Sequence, residues 1–223
     1  MIDLIITKNE AVTLVGGADF KPELLELALK FAPHVVGADS GANALYKFGE
    51  KPLAIIGDMD SIDVSILARI PSERLYRIEE QESTDFEKCL MLLEAPILIC
   101  LGFLGGQVDH QMAVQTALVR NPNKRCILLS EEDIVFVIPP EFSLDLDAGV
   151  RVSLYPMAEC RLYSRGLRWP TEAIDFAPDG VIGTSNMSTG SICLRPDCPK
   201  MLAIMPLDCL HRVLDALKKA PSW

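Results

Sequence analysis

Acidic residues follow apolar runs at two points in the first half of the chain, where their carboxylates could bind a metal ion. Asp39 follows the run HVVGA, and Asp58 and Asp60 follow the run PLAIIG. One residue separates Asp58 from Asp60, so their carboxylates can converge on one ion. Two close carboxylates raise each other's pKa unless a cation lies between them, and Mg²⁺ prefers oxygen ligands and often bridges them to phosphates. The spacing therefore predicts a magnesium site, with a plain turn as the alternative.

Small residues beside these carboxylates favour close approach of the backbone to a phosphate. Gly41 and Asn43 follow Asp39, and Ser61 follows Asp60. A helix that begins after Asp39 would add partial positive charge at its first turn. In the alternative interpretation, Asp39 only caps this helix, Gly41 eases the turn and Asn43 is a surface amide.

A third acidic position, Asp85, lies at the start of a predicted helix in the segment STDFEK. Thr84 and Glu87 have the spacing of a capping box. Asp85 could therefore favour the helix dipole without any further role. Lys88, one turn along this helix, could hold a phosphate, although a lone helical lysine usually lies at the surface. The residues alone leave these alternatives open.

The segment GFLGGQVDH combines glycines with an Asp-His pair and is the most unusual stretch of the sequence. It places Gly105 and Gly106 after an apolar strand, and Asp109 and His110 at a helix start. A glycine loop that leads into a helix is typical of phosphate binding. Alternatively, Asp109 is only a helix cap and His110 only a first-turn residue. We favour the phosphate-binding interpretation.

Three residues of the second half, Trp169, Ser185 and Asn186, lie in the segments GLRWP and GTSNMSTG. An exposed tryptophan can stack on a flat cation, which stabilises the complex by about 0.5–2 kcal/mol. Because β-sandwich cores also contain tryptophan, core packing is the alternative for Trp169. Composition alone would make Ser185 and Asn186 a turn.

The elements that must position these residues change in character after Ser130. Before it, Val-, Ile- and Leu-rich runs alternate with helical patterns, which predicts a Rossmann-like α/β domain with a mostly parallel sheet and helices on both faces. After it, short strands separated by Pro, Gly and Asp predict a β-sandwich domain that ends in an amphipathic helix. We place the domains at 1–135 and 136–223. In open α/β sheets, ligands bind beyond the carboxyl ends of the strands, where the acidic and glycine segments of the first domain fall.

Charge and cysteine content exclude several classes of protein. The 223 residues carry a formal net charge of −10, which disfavours nucleic acid and anionic membrane as partners. Seven cysteines, an odd number without a CxxC pair, argue against a disulfide framework and a structural zinc site. No apolar stretch is long enough to span a bilayer, and the first ten residues do not resemble a signal peptide. We expect a cytoplasmic protein.

Four segments, ADSGAN, GDMDS, STDFEK and GGQVDH, together resemble the motifs of the thiamine pyrophosphokinase (thiamine diphosphokinase) family. Further along, GLRW and TSN are similar to the thiamine-side motifs of that family, so the match extends over nearly the whole chain. The resemblance implies transfer of a pyrophosphoryl group from ATP to the hydroxyl of thiamine, which gives thiamine diphosphate and AMP. It also implies a homodimer whose thiamine sites lie between subunits.

The same resemblance implies a role for each matching residue. Mg²⁺ and the triphosphate would be gathered by Asp58, Asp60 and Asp85, with Asp39 close by. The implied nucleotide-site residues are Gly41, Asn43, Ser61, Thr84, Lys88, Gly105, Gly106, Gln107, Asp109 and His110. The implied thiamine-site residues are Trp169, Ser185 and Asn186. Gln107 stands where the family usually has arginine, so one charge-assisted phosphate contact is missing.

Two rival functions share parts of this pattern. A nucleotide-sugar transferase with a DxD motif would also bind a metal through Asp58 and Asp60. A non-catalytic nucleotide sensor would keep the glycine loops, and the neutral Gln107 points in that direction. Incubation with ATP, Mg²⁺ and thiamine separates the three, because only a thiamine pyrophosphokinase forms thiamine diphosphate and AMP.

Overall fold

The computed structural model describes residues 4–80 and 82–223, which form two compact units. The first unit contains the described residues up to Ala117 together with Cys126–Glu131. The second unit contains Leu118–Arg125 and Glu132–Trp223. The predicted division into a nucleotide-binding catalytic domain at 1–135 and a thiamine-binding and dimerisation domain at 136–223 stays a prediction.

The first unit contains a parallel sheet. Its strands are β1 (Ile6–Thr7), β2 (Val12–Val15), β3 (His34–Ala38), β4 (Ala54–Gly57), β5 (Leu75–Arg77), β6 (Leu93–Glu94), β7 (Leu98–Leu101) and β8 (Cys126–Leu129). The strands β8, β7, β2, β3, β4 and β5 lie side by side in that order, and each neighbouring pair is parallel. β1 and β6 form a separate parallel pair. Strands and helices alternate along the chain, so the predicted α/β class is confirmed.

The helices of this part lie between the strands, as the alternating pattern predicts. They are α1 (Pro22–Phe31), α2 (Gly41–Lys47), α3 (Val64–Leu67), α4 (Asp85–Leu92) and α5 (Val108–Arg120). α1 begins with Pro22, which lacks only an N–H that the first helical turn leaves unpaired. The helical pattern of α4 runs to Ala95 in the sequence, but Leu93 and Glu94 instead pair with β1. The helix therefore ends early because the backbone is recruited into a strand.

The carboxyl ends of the central strands bring four loops to one edge of the sheet. β2, β4 and β7 are buried at every position, as is typical of parallel strands with near-continuous apolar sequences. Since neighbouring strands are parallel, the segments that follow β2, β3, β4 and β7 leave the sheet on the same side. Three of these segments carry the predicted acidic and glycine motifs.

The second unit consists mainly of antiparallel strands. They are β9 (Asp133–Val137), β10 (Phe142–Leu144), β11 (Arg151–Pro156), β12 (Cys160–Leu167), β13 (Asp175–Phe176), β14 (Gly183–Pro196) and β15 (Met201–Pro206). β14 pairs with β11 near its beginning and with β10 and β12 further along. β15 pairs with β11 and β9. Ser185 and Asn186 lie within β14, so the assignment of these residues to a turn by composition is wrong.

The second unit also contains α6 (Leu210–Lys219), the predicted amphipathic helix. Leu210, Val213, Leu214 and Leu217 are its buried residues, and their spacing places them on one face. Lys218 lies in the last turn, where a cation favours the helix dipole. None of the described helices is both long enough and apolar enough to cross a membrane.

Gly41, the first residue of α2, is required for the contact between this helix and the sheet. A Cβ atom at Gly41 would lie 2.0 Å from the backbone oxygen of Val15 in β2. Because backbone cannot rotate away as a side chain can, we expect Gly41→Ala to destabilise the fold by about 2–3 kcal/mol. Ala44→Gly in the same helix should destabilise it by only about 0.5–1 kcal/mol. Chemical denaturation measures both changes, and equal losses would contradict the close contact.

Candidate active site

A cavity of about 620 Å³ lies in the first unit at the carboxyl edge of the parallel sheet. It is bounded by residues that follow β2, β3, β4 and β7 and by the first turns of α4 and α5. The predicted site residues that line it are Asp39, Asp58, Ser61, Thr84, Asp85, Lys88, Gly106, Gln107 and His110. Residues from four separate segments of the sequence therefore meet in one cavity.

Three carboxylates form the acidic cluster of this site: Asp39, Asp58 and Asp60. Each offers an oxygen atom, and these atoms all lie within 4.8 Å of one another. Asp39 is buried, Asp58 is partly buried and Asp60 is exposed. Such a separation is strongly repulsive for ionised groups unless a cation lies among them.

The Asp39 side chain is the least satisfied member of the cluster. Asp39 is only 4% exposed, and its Oδ1 has no hydrogen-bond partner among the described residues. Burial is the main reason why the pKa of this carboxyl is raised above its ordinary value. The charge of Asp85 raises this pKa further, a hydrogen bond from the Ser40 backbone lowers it, and Asp58 and Asp60 add smaller repulsions.

The backbone at Asp39 depends on a neighbouring glycine. Asp39 has a φ of 42°, in the left-handed region that non-glycine residues rarely adopt. A Cβ atom at Gly57, the last residue of β4, would lie 2.7 Å from the Asp39 Cβ. Only glycine at position 57 therefore lets strand β4 pass close to this buried carboxylate. Strain of this kind is concentrated at functional sites.

Asp85 lies close to the acidic cluster and is paired with a buried lysine. The Lys88 Nζ lies 3.2 Å from the Asp85 Oδ1, and Lys88 is only 2% exposed. Burial raises the pKa of Asp85 despite this hydrogen bond, and the charges of Asp58 and Asp60 also raise it. The general expectation that a lone helical lysine lies at the surface is wrong here, because Lys88 faces the cavity and its carboxylate partner.

The capping box at the start of α4 is confirmed. The Glu87 N–H donates to the Thr84 Oγ1 at 3.3 Å, and the Thr84 N–H donates to the Glu87 Oε2 at 3.2 Å. This reciprocal pair fixes the first turn of α4, which carries Asp85 into the cavity. The capping and cavity-lining roles of this segment therefore coexist.

The glycine segment before α5 is held by a residue that sequence reasoning missed. The Gly105 N–H donates to the Gln111 Oε1 at 3.1 Å, and Gly105 has a φ of 85°. Gly106, Gln107 and Gln111 line the cavity. The loop is therefore tied to the second turn of the helix that it precedes.

Other cavity residues were also absent from the sequence-based set. They include Gly16, Gly17, Ala18 and Asp19, which follow β2, and Phe103, which follows β7. The glycine pair after β2 could have been found by the rule that singled out the ends of β3 and β4. No local signal marks Gln111 or Phe103.

Five predicted site residues of the first unit do not line the cavity. They are Gly41, Asn43, Asp60, Gly105 and Asp109. The Asp60 Oδ1 accepts a hydrogen bond from the Ser61 hydroxyl at 2.8 Å, and Asp60 remains in the acidic cluster. Asp109 is the second residue of α5, and its Oδ1 accepts from the His110 N–H at 2.9 Å. The ligand contacts predicted for these five residues stay predictions.

In the second unit, Trp169 is 51% exposed, so core packing does not explain it. The Arg168 guanidinium lies over its ring, 4.9 Å from the centroid. The Asn186 side chain donates to the Trp169 carbonyl at 2.8 Å and accepts from the Trp169 N–H at 3.2 Å. Ser185 has a φ of 60°, and its N–H donates to the Ser153 hydroxyl at 3.0 Å. Asn186 thus holds the backbone that presents the exposed indole.

Comparison with known proteins agrees with these motifs. A family model described as "Thiamin pyrophosphokinase, catalytic domain" matches residues 25–129. Thiamine pyrophosphokinase 1 of Oryza sativa subsp. japonica is 28% identical over 186 residues, which cover 68% of this chain and 70% of that protein. Thiamine pyrophosphokinase 1 of Arabidopsis thaliana is 25% identical over 200 residues, 74% of this chain and 75% of that protein. The chain is therefore similar to thiamine pyrophosphokinases over most of its length.

A solved structure of a thiamin pyrophosphokinase shares this fold. The protein from Candida albicans superposes with a TM-score of 0.77 at 18% identity, and the match covers 89% of each chain. Because the identity is only 18%, this superposition is evidence for a shared fold alone. The α/β architecture with a large mixed sheet is therefore common to the chain and to that member of the thiamine pyrophosphokinase family.

The acidic cluster fits a hard divalent cation. Its donors are all carboxylate oxygens, the type of ligand that Mg²⁺ prefers. Among the described residues, the Oδ1 of buried Asp39 lacks the hydrogen-bond partner that such polar atoms normally have. A bound cation would satisfy this oxygen and would offset the repulsion within the cluster.

Replacing Asp39 by asparagine should stabilise the metal-free chain at neutral and alkaline pH. Because the pKa of Asp39 is raised in the fold, the folded state binds this proton more tightly than the unfolded state. Stability is therefore lost as pH rises through the folded pKa. Asp39→Asn removes that loss, and asparagine tolerates a left-handed backbone.

Thermal unfolding in a metal chelator across a pH series measures this effect. We expect a higher melting temperature for Asp39→Asn at about pH 8, and a gain that disappears below about pH 4, where aspartate is protonated in both states. Asp208→Asn, at an exposed position of the second unit, serves as the control. A destabilised Asp39→Asn at pH 8 would contradict a raised pKa of Asp39 in the fold.

Proposed function

We propose that the chain catalyses transfer of a pyrophosphoryl group from ATP to the hydroxyl of thiamine, with the acidic cluster as its metal site. The thiamine hydroxyl oxygen attacks the β-phosphorus of ATP, and the bond from that phosphorus to the α,β-bridging oxygen breaks. The hydroxyl proton is lost, AMP leaves, and thiamine diphosphate is formed. The observation that carries this proposal is the convergence of Asp39, Asp58 and Asp60 within 4.8 Å, beside the cavity that Asp39 and Asp58 line.

The charge of the cavity supports a metal-dependent reaction. Asp19, Asp39, Asp58 and Asp85 line it, and Lys88 is the one lysine or arginine among the described lining residues. A triphosphate would be repelled by this surface unless cations screened it. Mg²⁺ would neutralise charge on the phosphates as the β-phosphorus is attacked.

The carboxylates hold and orient this charge. We assign Asp58, Asp60 and Asp85 as the metal ligands, and the position of Asp39 in the cluster supports a share for it as well. The Asp85 Oδ1 accepts a hydrogen bond from Lys88, which fixes the orientation of that carboxylate. Positioning and electrostatics of this kind supply most of the catalysis in phosphoryl transfer.

The phosphates are proposed to lie against the start of α5. Gly106, Gln107 and His110 line the cavity there, and the first turn of α5 offers backbone N–H groups to an anion. Gln107 donates a neutral hydrogen bond in place of an arginine contact. The nucleotide contacts proposed for Gly41, Ser61, Thr84, Lys88, Gly105 and Asp109 complete this assignment.

The second unit is proposed to bind thiamine as a β-sandwich in a homodimer. An exposed Trp169 offers an aromatic face to the planar thiazolium cation. Asn186 fixes the Trp169 backbone, and Ser185 lies beside it in the same strand. The site between subunits and the cytoplasmic location stay predictions.

The direct test is incubation with ATP, Mg²⁺ and thiamine, followed by measurement of thiamine diphosphate and AMP. We expect Asp58→Asn to lower turnover by at least about a thousandfold, because it removes a charge that holds the metal, and to leave the fold intact. Asp208→Asn, an exposed control, should retain activity. Products other than AMP, or near-normal turnover by Asp58→Asn, would contradict the proposal.

Replacement of Trp169 tests the thiamine side separately. Trp169→Ala should raise the KM for thiamine by about tenfold, since cation–π stacking contributes about 0.5–2 kcal/mol, and should leave the KM for ATP nearly unchanged. Trp169→Phe, which keeps an aromatic face, should recover most of this loss. Equal increases in both KM values would assign Trp169 a structural role instead.

A further inference from the structure

The acidic loop, residues 58–63, is held by contacts that lie outside the cavity. The Asn43 Nδ2 donates to the Ser61 carbonyl at 3.1 Å, and the Asp63 N–H donates to the Asn43 Oδ1 at 3.0 Å. Both ends of one amide thus bond to backbone groups of the loop, across 18 and 20 residues of sequence. Since both ends of the Asn43 amide already bond to the loop, its side chain has hydrogen-bond partners within the protein and does not need a nucleotide to satisfy them.

Met59 provides a second attachment of the same loop. It has a φ of 70°, in the left-handed region, and is only 5% exposed. Its side chain packs in a buried apolar cluster with Ala42, Ile55, Ile62 and Ile70. A long side chain held at a positive φ indicates that surrounding contacts determine the backbone there.

The position of Met59 between two aspartates explains what this attachment does. Met59 packs in the core, while the oxygens of Asp58 and Asp60, on either side of it in the sequence, meet that of Asp39. The Asp60 N–H also donates to the Asp58 Oδ1 at 3.2 Å, and this hydrogen bond restrains the turn between the two aspartates.

The same helix supports both parts of the acidic cluster. Asn43 and Ala42 belong to α2, which begins two residues after Asp39. The loop is therefore bonded to Asn43 and packed on Ala42, while Asp39 directly precedes this helix. Without such support, the mutual repulsion of the carboxylates would move Asp58 and Asp60 away from Asp39 before a cation arrives.

We infer that Asn43 and Met59 are positioning residues, which fix the acidic loop so that Asp58 and Asp60 reach the same ion as Asp39. This inference rests on the proposed function in taking the cluster as the metal site. It assigns to Asn43 a role in holding the loop rather than in touching the nucleotide. The two residues act through different contacts, one polar and one apolar.

The experiment measures binding of Mn²⁺ alone to the full chain, by the loss of the free-ion electron paramagnetic resonance signal. We expect Asn43→Ala to weaken Mn²⁺ binding by about tenfold, the effect of losing two modest hydrogen bonds. Met59→Gly, which relaxes the backbone but removes the apolar anchor, should weaken it similarly. Met59→Leu should bind almost normally, as should Lys47→Gln, an exposed control on α2.

A metal-free readout accompanies these titrations. In Asn43→Ala, hydrogen exchange of the Asp63 amide should accelerate at least tenfold, because its acceptor is gone. In turnover assays, excess Mg²⁺ should restore kcat, and the KM for ATP at saturating Mg²⁺ should stay unchanged. A direct nucleotide contact would instead raise that KM, and metal would not correct it.

Each outcome decides the inference. Unchanged Mn²⁺ affinity in Asn43→Ala overturns it, as does an ATP KM that rises and resists excess Mg²⁺. Absence of Mn²⁺ binding by the unmodified chain also overturns it. If one variant fails to fold, the other decides, because they remove different contacts. If the chain binds Mn²⁺ but forms no thiamine diphosphate, the proposed function is refuted. The Mn²⁺ affinities and the exchange rate of the Asp63 amide still decide whether Asn43 and Met59 position the loop.

Discussion

Repulsion among carboxylates is the constraint on which the site depends. Asp39, Asp58 and Asp60 offer oxygens within 4.8 Å of one another, and Asp85 adds its charge to the same region. Left alone, such groups would separate or take up protons. The fold opposes their separation, because buried strands, a glycine at position 57 and a packed loop hold them in place. A cation that binds there would meet carboxylates that the folded chain already holds in position.

This arrangement implies that stability and function are in tension at one edge of the sheet. Asp39 combines burial, an unpaired oxygen, a left-handed backbone and a raised pKa. Each feature is unfavourable for the metal-free fold, and each is relieved or used when a divalent ion binds. Binding of an ion to the native state alone stabilises it by mass action. The apolar core beneath the loop supplies the stability that tolerates this strain.

Much of the architecture could be predicted from the sequence, because it follows from local patterns. The apolar runs predicted the parallel strands, and the strand-end rule led from Asp39 and Asp58 to a shared edge. The capping box at Thr84 needed only its spacing. Tertiary contacts explain the rest. Burial of Lys88 depends on the fold that surrounds α4, and the early end of that helix depends on a strand near the beginning of the chain.

Other features of the site have no sequence signal at all. The left-handed backbone at Met59 and the double hydrogen bond of Asn43 arise from packing between segments about twenty residues apart. Trp169 illustrates the same limit, because composition could not decide between core packing and exposure. The central claim is that the acidic cluster holds a divalent ion. Anomalous diffraction from crystals grown with Mn²⁺ tests it most directly. We expect one strong peak among the carboxylates of Asp39, Asp58 and Asp60; a peak only elsewhere, or carboxylates that stand apart, would contradict a metal site there.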